Sequence, residues 1–417
     1  MTQQEEEATA AATLHERSGS LAAIKPPRVV SRRASLLPAG ARTRSLALLE
    51  EYWKPVAMLA GSRVMMLFVV YVTRYVPDNP VVGGTGLSGH SFARLAAWDG
   101  GWYLTAAQHG WPHAVPIAQG WPAYSTLAFF PAFPFAIRAV AFLGFGYIAA
   151  GVITALIFQV AMAVLLWSLV KEIWGEAVAE RGMLLFLFGP GAAVFTLIYS
   201  EPMLLAASAA CLLALRRRWW LAAGLLAAVG TAVRPVGVAL VGCCAWEAAK
   251  ALRSDREWRA LVAPVLSPLG VLAWTGYLWA HTGNPFIWSQ AEKAWDDSFD
   301  PLTLFTRFFR TEVTHTGQRL PHILPVAGAL FCVVALVLLI KAKAPAALIV
   351  FSVIVVFISV SSRVVGLRPR LIETAFPLVM VFGYWFKGTL HTLLLGCAAV
   401  VLGGLVFLTL ASTHFIP

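Results

Sequence analysis

From Ile148 to Val170 the chain runs without Asp, Glu, Lys or Arg and stops at Lys171; residues 389–411 form a second such stretch. Each is long enough for an α-helix to cross a bilayer core, which takes about 20 residues. Further apolar runs recur between short basic clusters. That recurrence sets the expected fold class: all-α, a polytopic transmembrane helical bundle with about 9–11 membrane segments. Composition agrees, since 59% of the 417 residues are hydrophobic and only 13% are charged. A water-facing surface of this size would need more charge.

The formal net charge is +11. Its distribution argues against a nucleic-acid partner, because the basic residues fall in short runs between apolar segments, the positive-inside pattern. Arg over Lys, with abundant Ala, leans towards a bacterial plasma membrane. Cys211, Cys243, Cys244, Cys332 and Cys397 all lie in apolar runs and read as small core residues. Residues 1–50 are polar, with Glu5, Glu6 and Glu7 first and then Lys25, Arg28, Arg32, Arg33, Arg42 and Arg44. They are expected to form a disordered basic cytoplasmic tail that touches anionic lipid, with no signal peptide. Residues 51–417 then form the membrane domain.

Threading this domain gives a first crossing over about 55–76, then a loop at 77–123 too polar to cross. Further crossings are expected at 148–170, 183–199, 203–215, 261–280, 322–340, 345–362, 371–386 and 389–411. Segments 219–233 and 236–248 flank Arg234-Pro235 and read as a re-entrant pair. The stretch 124–143, with Pro131 and Pro134, is expected to lie along or dip into the outer leaflet. With the basic loops 171–181, 216–218, 250–259, 341–343 and 387 inside, the loops 77–123 and 281–320 face outward. Tyr199-Ser200-Glu201 and residues 363–370 join them there.

Asp99 lies in this first outer loop, within Trp98-Asp99-Gly100-Gly101-Trp102-Tyr103. A carboxylate at the membrane surface, flanked by aromatics and by glycines that let a ligand approach, is poorly explained by packing. It can take a proton from a bound hydroxyl. Arg363, Arg368, Arg370 and Arg138 break the positive-inside pattern; each can snorkel to headgroups, or its fork can hold a phosphate. Glu201 can orient a sugar hydroxyl, pair with one of these arginines, or simply favour the start of its helix. Arg234 can pair with Glu201 or reach a ligand.

In the second loop, His281, Trp288, Gln290 and Trp295 suit sugar faces and edges, and equally an ordinary interfacial belt. Asp296, Asp297 and Asp300 lack an EF-hand spacing and read as a solvated turn. His109 and His113 are separated by the helix breakers Gly110 and Pro112, which argues against a zinc site. No P-loop, dinucleotide fingerprint or HExxH motif occurs, so neither a nucleotide-driven pump nor a metal or other cofactor is expected.

Trp98-Asp99-Gly100-Gly101-Trp102-Tyr103, followed by Ala107-Gln108-His109-Gly110-Trp111, resembles the first-loop motif of the PIG-V-like mannosyltransferases, members of the GT-C glycosyltransferases. Phe129-Phe130-Pro131 with Arg138, Tyr199-Ser200-Glu201, and Arg216-Arg217-Arg218 through Arg234-Pro235 fit the same pattern in order. Gly283-Asn284-Pro285 with Gln290, and Arg370 with Phe376-Pro377, continue it to about residue 385. The resemblance implies a catalytic Asp99 and a polyprenyl-phosphate mannose donor. It also implies a lipid- or polymer-linked glycan acceptor outside the cytoplasm, and Trp98, Trp102 and Tyr103 beside Asp99 are candidate substrate contacts. The GPI core used by animal and fungal members is not expected in a bacterial-looking chain. A transporter or flippase for a polyprenyl-linked lipid is the competing reading. It would more often carry ionisable residues midway along its helices.

Overall fold

The computed structural model describes residues 41–75, 93–295, 320–361 and 369–411. The chain divides into two units, Met1–Glu50 and Glu51–Pro417. In the first unit the described residues, 41–50, are helical, so a helix begins within the stretch expected as a tail; residues 1–40 lie outside the described residues. Helix α1 spans Ala41–Val72. Ser45-Leu46-Ala47-Leu48-Leu49-Glu50-Glu51 holds no Gly or Pro and is rich in strong helix formers, which carries the helix upstream of the apolar run.

The described residues of the second unit are mostly helical. After α1 come α2 (Asp99–His109), α3 (Ala132–Ala141), α4 (Tyr147–Trp174), α5 (Glu176–Leu187) and α6 (Glu201–Arg216). Next are α7 (Trp220–Val233), α8 (Ala239–Asp255), α9 (Val262–Leu266), α10 (Leu269–Thr282) and α11 (Ile287–Glu292). The set closes with α12 (Leu320–Lys341), α13 (Ala346–Val360), α14 (Pro369–Thr374), α15 (Phe376–Met380), α16 (Phe382–Trp385) and α17 (Gly388–Ala411). The described strands are Ile117–Ala118 and Trp121–Pro122, a minimal antiparallel hairpin. Among the described residues five helical stretches are long and apolar enough to cross a membrane, six if one bent pair counts as a span; five shorter apolar helices accompany them.

Side-chain pairs sort the elements into two ends. At one end Glu172 holds Arg216 and Arg217, and Lys54 holds Glu176. Arg218 there pairs with Asp255 and Glu257, and Arg181 donates to the Gly383 carbonyl. At the other end stand Asp99, Glu201, Arg234 and Arg370. Helix α6 links the two ends over roughly 24 Å at 1.5 Å per residue. It is apolar all round and buried on nearly every side, as such a helix must be.

Two expected crossings take a different path. The run 183–199 is broken: α5 stops at Leu187, and Pro190–Thr196 continues as a 3₁₀ turn bent by 70°. Gly189-Pro190 supplies the break, since proline cannot continue the hydrogen-bond ladder of α5. The run 371–386 travels from Arg370 to the basic end as three short helices. The pair around Arg234-Pro235 does keep both ends at the basic side, but its return limb, Pro235–Asp255, is of spanning length. The stretch 124–143 enters and leaves at the Asp99 end. Its helix α3 covers only about 15 Å, too short for a bilayer core of about 30 Å.

Small residues let these helices touch. A Cβ on Gly270 would overlap the Ala228 carbonyl and the Thr231 hydroxyl, and one on Gly224 would press on Ala263. Such close approach is what holds apolar helices together when neighbouring lipid is equally apolar. Gly270→Ala is therefore expected to cost about 1–3 kcal/mol, read as a lower unfolding midpoint of the purified protein in detergent. Gly276→Ala on the same helix, where a Cβ meets open space, should leave the midpoint unchanged or raise it.

Candidate functional site

Four charges far apart in sequence meet at the end opposite the basic loops. Arg370 Nη1 lies 3.0 Å from Asp99 Oδ2, and its Nε lies 3.1 Å from Glu201 Oε1. The second contact is an ion pair off the hydrogen-bond line. Arg234 Nη1 donates to Glu201 Oε1 at 2.6 Å. The Glu201 side chain is only 2% exposed, Arg370 14%, Asp99 16% and Arg234 18%. Burial by itself would lower the Arg370 pKa, but the charges of Asp99 and Glu201 more than offset it and raise the value above the ordinary range.

Each group is presented by a helix end. Asp99 opens α2 and Glu201 opens α6, where the N-terminal dipole favours a carboxylate. Arg234 sits in extended backbone between α7 and the turn before α8, and Arg370 lies in the first turn of α14. Just before Asp99, Trp98 adopts φ 56° and ψ −125°, a conformation that L side chains rarely take. Its indole nitrogen donates to the Thr409 carbonyl of α17 at 2.8 Å. Strain of this kind costs on the order of 1–3 kcal/mol and tends to be kept where function requires it.

Tyr199 completes the frame. Its hydroxyl accepts from the Asp99 backbone N–H at 3.2 Å, and the Arg370 guanidinium lies over its ring at 5.4 Å. Tyr103, one turn along α2 from Asp99, shares a 2.6 Å hydrogen bond with Ser200. Burial pushes the Tyr103 phenol up to about 12, so it stays neutral and able to donate. A Cβ on Gly100 would press on the Leu95 carbonyl at 3.3 Å and touch that of Ile198 at 3.5 Å, so glycine eases the approach of α2 to the Tyr199 segment. Trp102, also on this turn, meets Tyr124, Phe129 and Trp295, with ring centroids 5.9–6.4 Å away. The second loop thus contributes an aromatic wall beside the carboxylate.

The other site candidates lie elsewhere. Arg138 donates from Nε to the Ala107 carbonyl at 2.8 Å and from Nη2 to that of Ala106 at 3.3 Å. It closes the C-terminal turn of the helix that carries Asp99, and so positions it. His281 meets the Trp111 carbonyl through Nε2 and stacks on His113 at 3.9 Å. Gln290 is exposed on α11. No described contact links His281 or Gln290 to the four charges. Arg363, Arg368, Asp296, Asp297 and Asp300 lie outside the described residues. Among the described residues no group of three or more His, Cys, Asp or Glu side chains is arranged to hold a metal ion. Cys397, read as a core residue, is exposed, whereas the other four cysteines are buried.

No protein-family model matches this chain, and no curated protein matches it.

The network predicts strong coupling. Arg234→Met leaves two carboxylates sharing Arg370, whereas Arg234→Met with Glu201→Gln leaves the balanced Asp99–Arg370 pair. Unfolding midpoints in detergent should show the double variant less damaged than the two single losses added together, with a coupling of about 1–3 kcal/mol. Simple additivity would mean that the pair does not act as a unit.

Proposed function

We propose that the chain is an inverting hexosyltransferase of the PIG-V-like, GT-C type in a bacterial plasma membrane, using a polyprenyl-phosphate sugar, mannose by the family analogy. The observation that carries this reading is the meeting of Asp99, Glu201, Arg234 and Arg370 beside the Trp102–Trp295 aromatic wall. A carboxylate, a phosphate-matching fork and an aromatic platform are the three parts that such a transfer needs. The N-terminus is then cytoplasmic and the Asp99 end extracytoplasmic, where no nucleotide sugar is at hand.

Arg370 engages Oδ2 of Asp99. In the proposed step Oδ1 takes the proton of an acceptor hydroxyl on a lipid or polymer glycan. The hydroxyl oxygen bonds to the anomeric carbon from the face opposite the phosphate. The bond from that carbon to the phosphate oxygen breaks, and polyprenyl phosphate leaves with the electron pair. This is the general-base role of inverting glycoside chemistry with an alcohol in place of water. The leaving phosphate needs positive charge, and the Arg370 fork supplies it by turning from the carboxylates to the phosphate. Glu201 and Arg234 hold Arg370 in reach before the donor arrives.

One observation favours the transport reading. Arg63 lies midway along the Glu50–Tyr75 span, buried, with Nε and Nη1 lacking a hydrogen-bond partner. Transfer of radiolabelled mannose from polyprenyl phosphate by detergent-purified protein, without a sealed membrane, separates the two. A transferase works there and a transporter has no compartment to act between. Asp99→Asn should reduce the transfer rate by at least about 10²-fold while the protein still elutes as a folded species. Substantial activity in that variant would remove Asp99 from the base role.

A further inference from the structure

Beside the charge network lies a partly open cavity of about 370 Å³ that the proposed transfer does not use. Leu185, Phe331, Ile372, Val379, Phe382 and Leu394 line it, so its wall is almost entirely hydrocarbon. The exception is Glu373, one helical turn after Arg370 on α14. Its residue is 3% exposed, and its Oε1 is buried with no hydrogen-bond partner.

The room for this side chain is built by the break after α5. A Cβ on Gly191 would collide with the Glu373 Cβ and with Oε2 at 2.6 Å, and one on Gly189 would approach Oε2 at 3.6 Å. Gly189-Pro190-Gly191 therefore serves two ends, turning the chain and seating a carboxyl against an apolar space. An ionised carboxylate left there without a partner would cost many kcal/mol, and such a group keeps its proton instead. A neutral acid needs an acceptor for its O–H, and Oε1 has no hydrogen-bond partner. An isoprenoid tail would not provide one either, because it has no oxygen along its length. An acyl chain does, at its ester.

We propose that this cavity holds one acyl chain of a glycerolipid, whose ester carbonyl accepts a hydrogen bond from the Glu373 carboxyl. The volume is in the range of small-ligand sites, and helices α12 and α17, which wall it with α14 to α16, are apolar along their length. The site is independent of the transfer step: it would bind lipid whether or not Asp99 acts on a sugar.

The test compares two lipids that differ only in the acceptor. Full-length protein purified in detergent is incubated with dipalmitoyl phosphatidylglycerol or its diether analogue, and retained lipid is counted by native mass spectrometry. Wild type and Glu373→Gln, which keeps a donor, should retain the diester about fivefold over the diether, the ratio for one neutral hydrogen bond. Glu373→Leu should retain both equally, and Ala398→Trp, which fills the cavity, should retain neither. Equal retention of the two lipids by the wild-type protein overturns the proposal, and that comparison needs no variant to fold. An ester preference that persists in Glu373→Leu, or undiminished retention in Ala398→Trp, overturns it as well.

Discussion

Two arginines and two carboxylates are buried together at one end of an apolar bundle, and that constraint organises the rest of the molecule. Each of these charges alone would cost several kcal/mol to take out of water. Together they sum to zero, and Arg370 stands between Asp99 and Glu201 while Arg234 holds Glu201 from the other side. The arrangement demands that four separate stretches of chain end at one level. The fold meets that demand by placing every one of the charges at a helix terminus or at a turn.

The same end is where the backbone is least regular. Trp98 is twisted into an uncommon conformation, α5 gives way at Gly189-Pro190, and the last traverse before α17 is cut into three short helices. A straight helix cannot present side chains from its end to a point and also continue past it. Breaking the helix frees backbone and makes space, and the cavity that seats Glu373 is one product of that space. At the opposite end the chain uses ordinary exposed ion pairs such as Lys54–Glu176, which contribute little energy but keep the loops in order.

Asp99, Glu201, Arg234 and Arg370 were each legible as residues out of keeping with their surroundings. The sequence leaves Arg234 open to a pairing with Glu201 or to a ligand. Arg138, His281 and Gln290 looked equally suggestive, yet Arg138 closes the helix that bears Asp99, and the other two have no contact with the cluster. The physical reason is simple. A polar side chain near an apolar run announces only that it needs a partner, and a backbone carbonyl satisfies an arginine as well as a phosphate does. Tyr199 was visible within its motif, but its hydrogen bond to the Asp99 backbone depends on how two loops meet. Nothing local distinguishes a buried acid from an exposed one in a short helix, which hides Glu373, whereas Arg63, a charge at the middle of an apolar span, is a signal that the sequence does carry.

What the amino-acid sequence determined by itself was the helical class and where four of the five helices of spanning length run, the exception being Pro235–Asp255. Uninterrupted hydrocarbon leaves the backbone no partner but itself, so the helix is forced locally. It also determined which loops carry positive charge. Tertiary structure alone decided which charges neutralise one another, which helices break and where a carboxyl lines an apolar cavity. Those outcomes depend on the relative height and rotation of helices distant in sequence, set by close contacts such as Gly270 against Ala228, and no single segment contains that information.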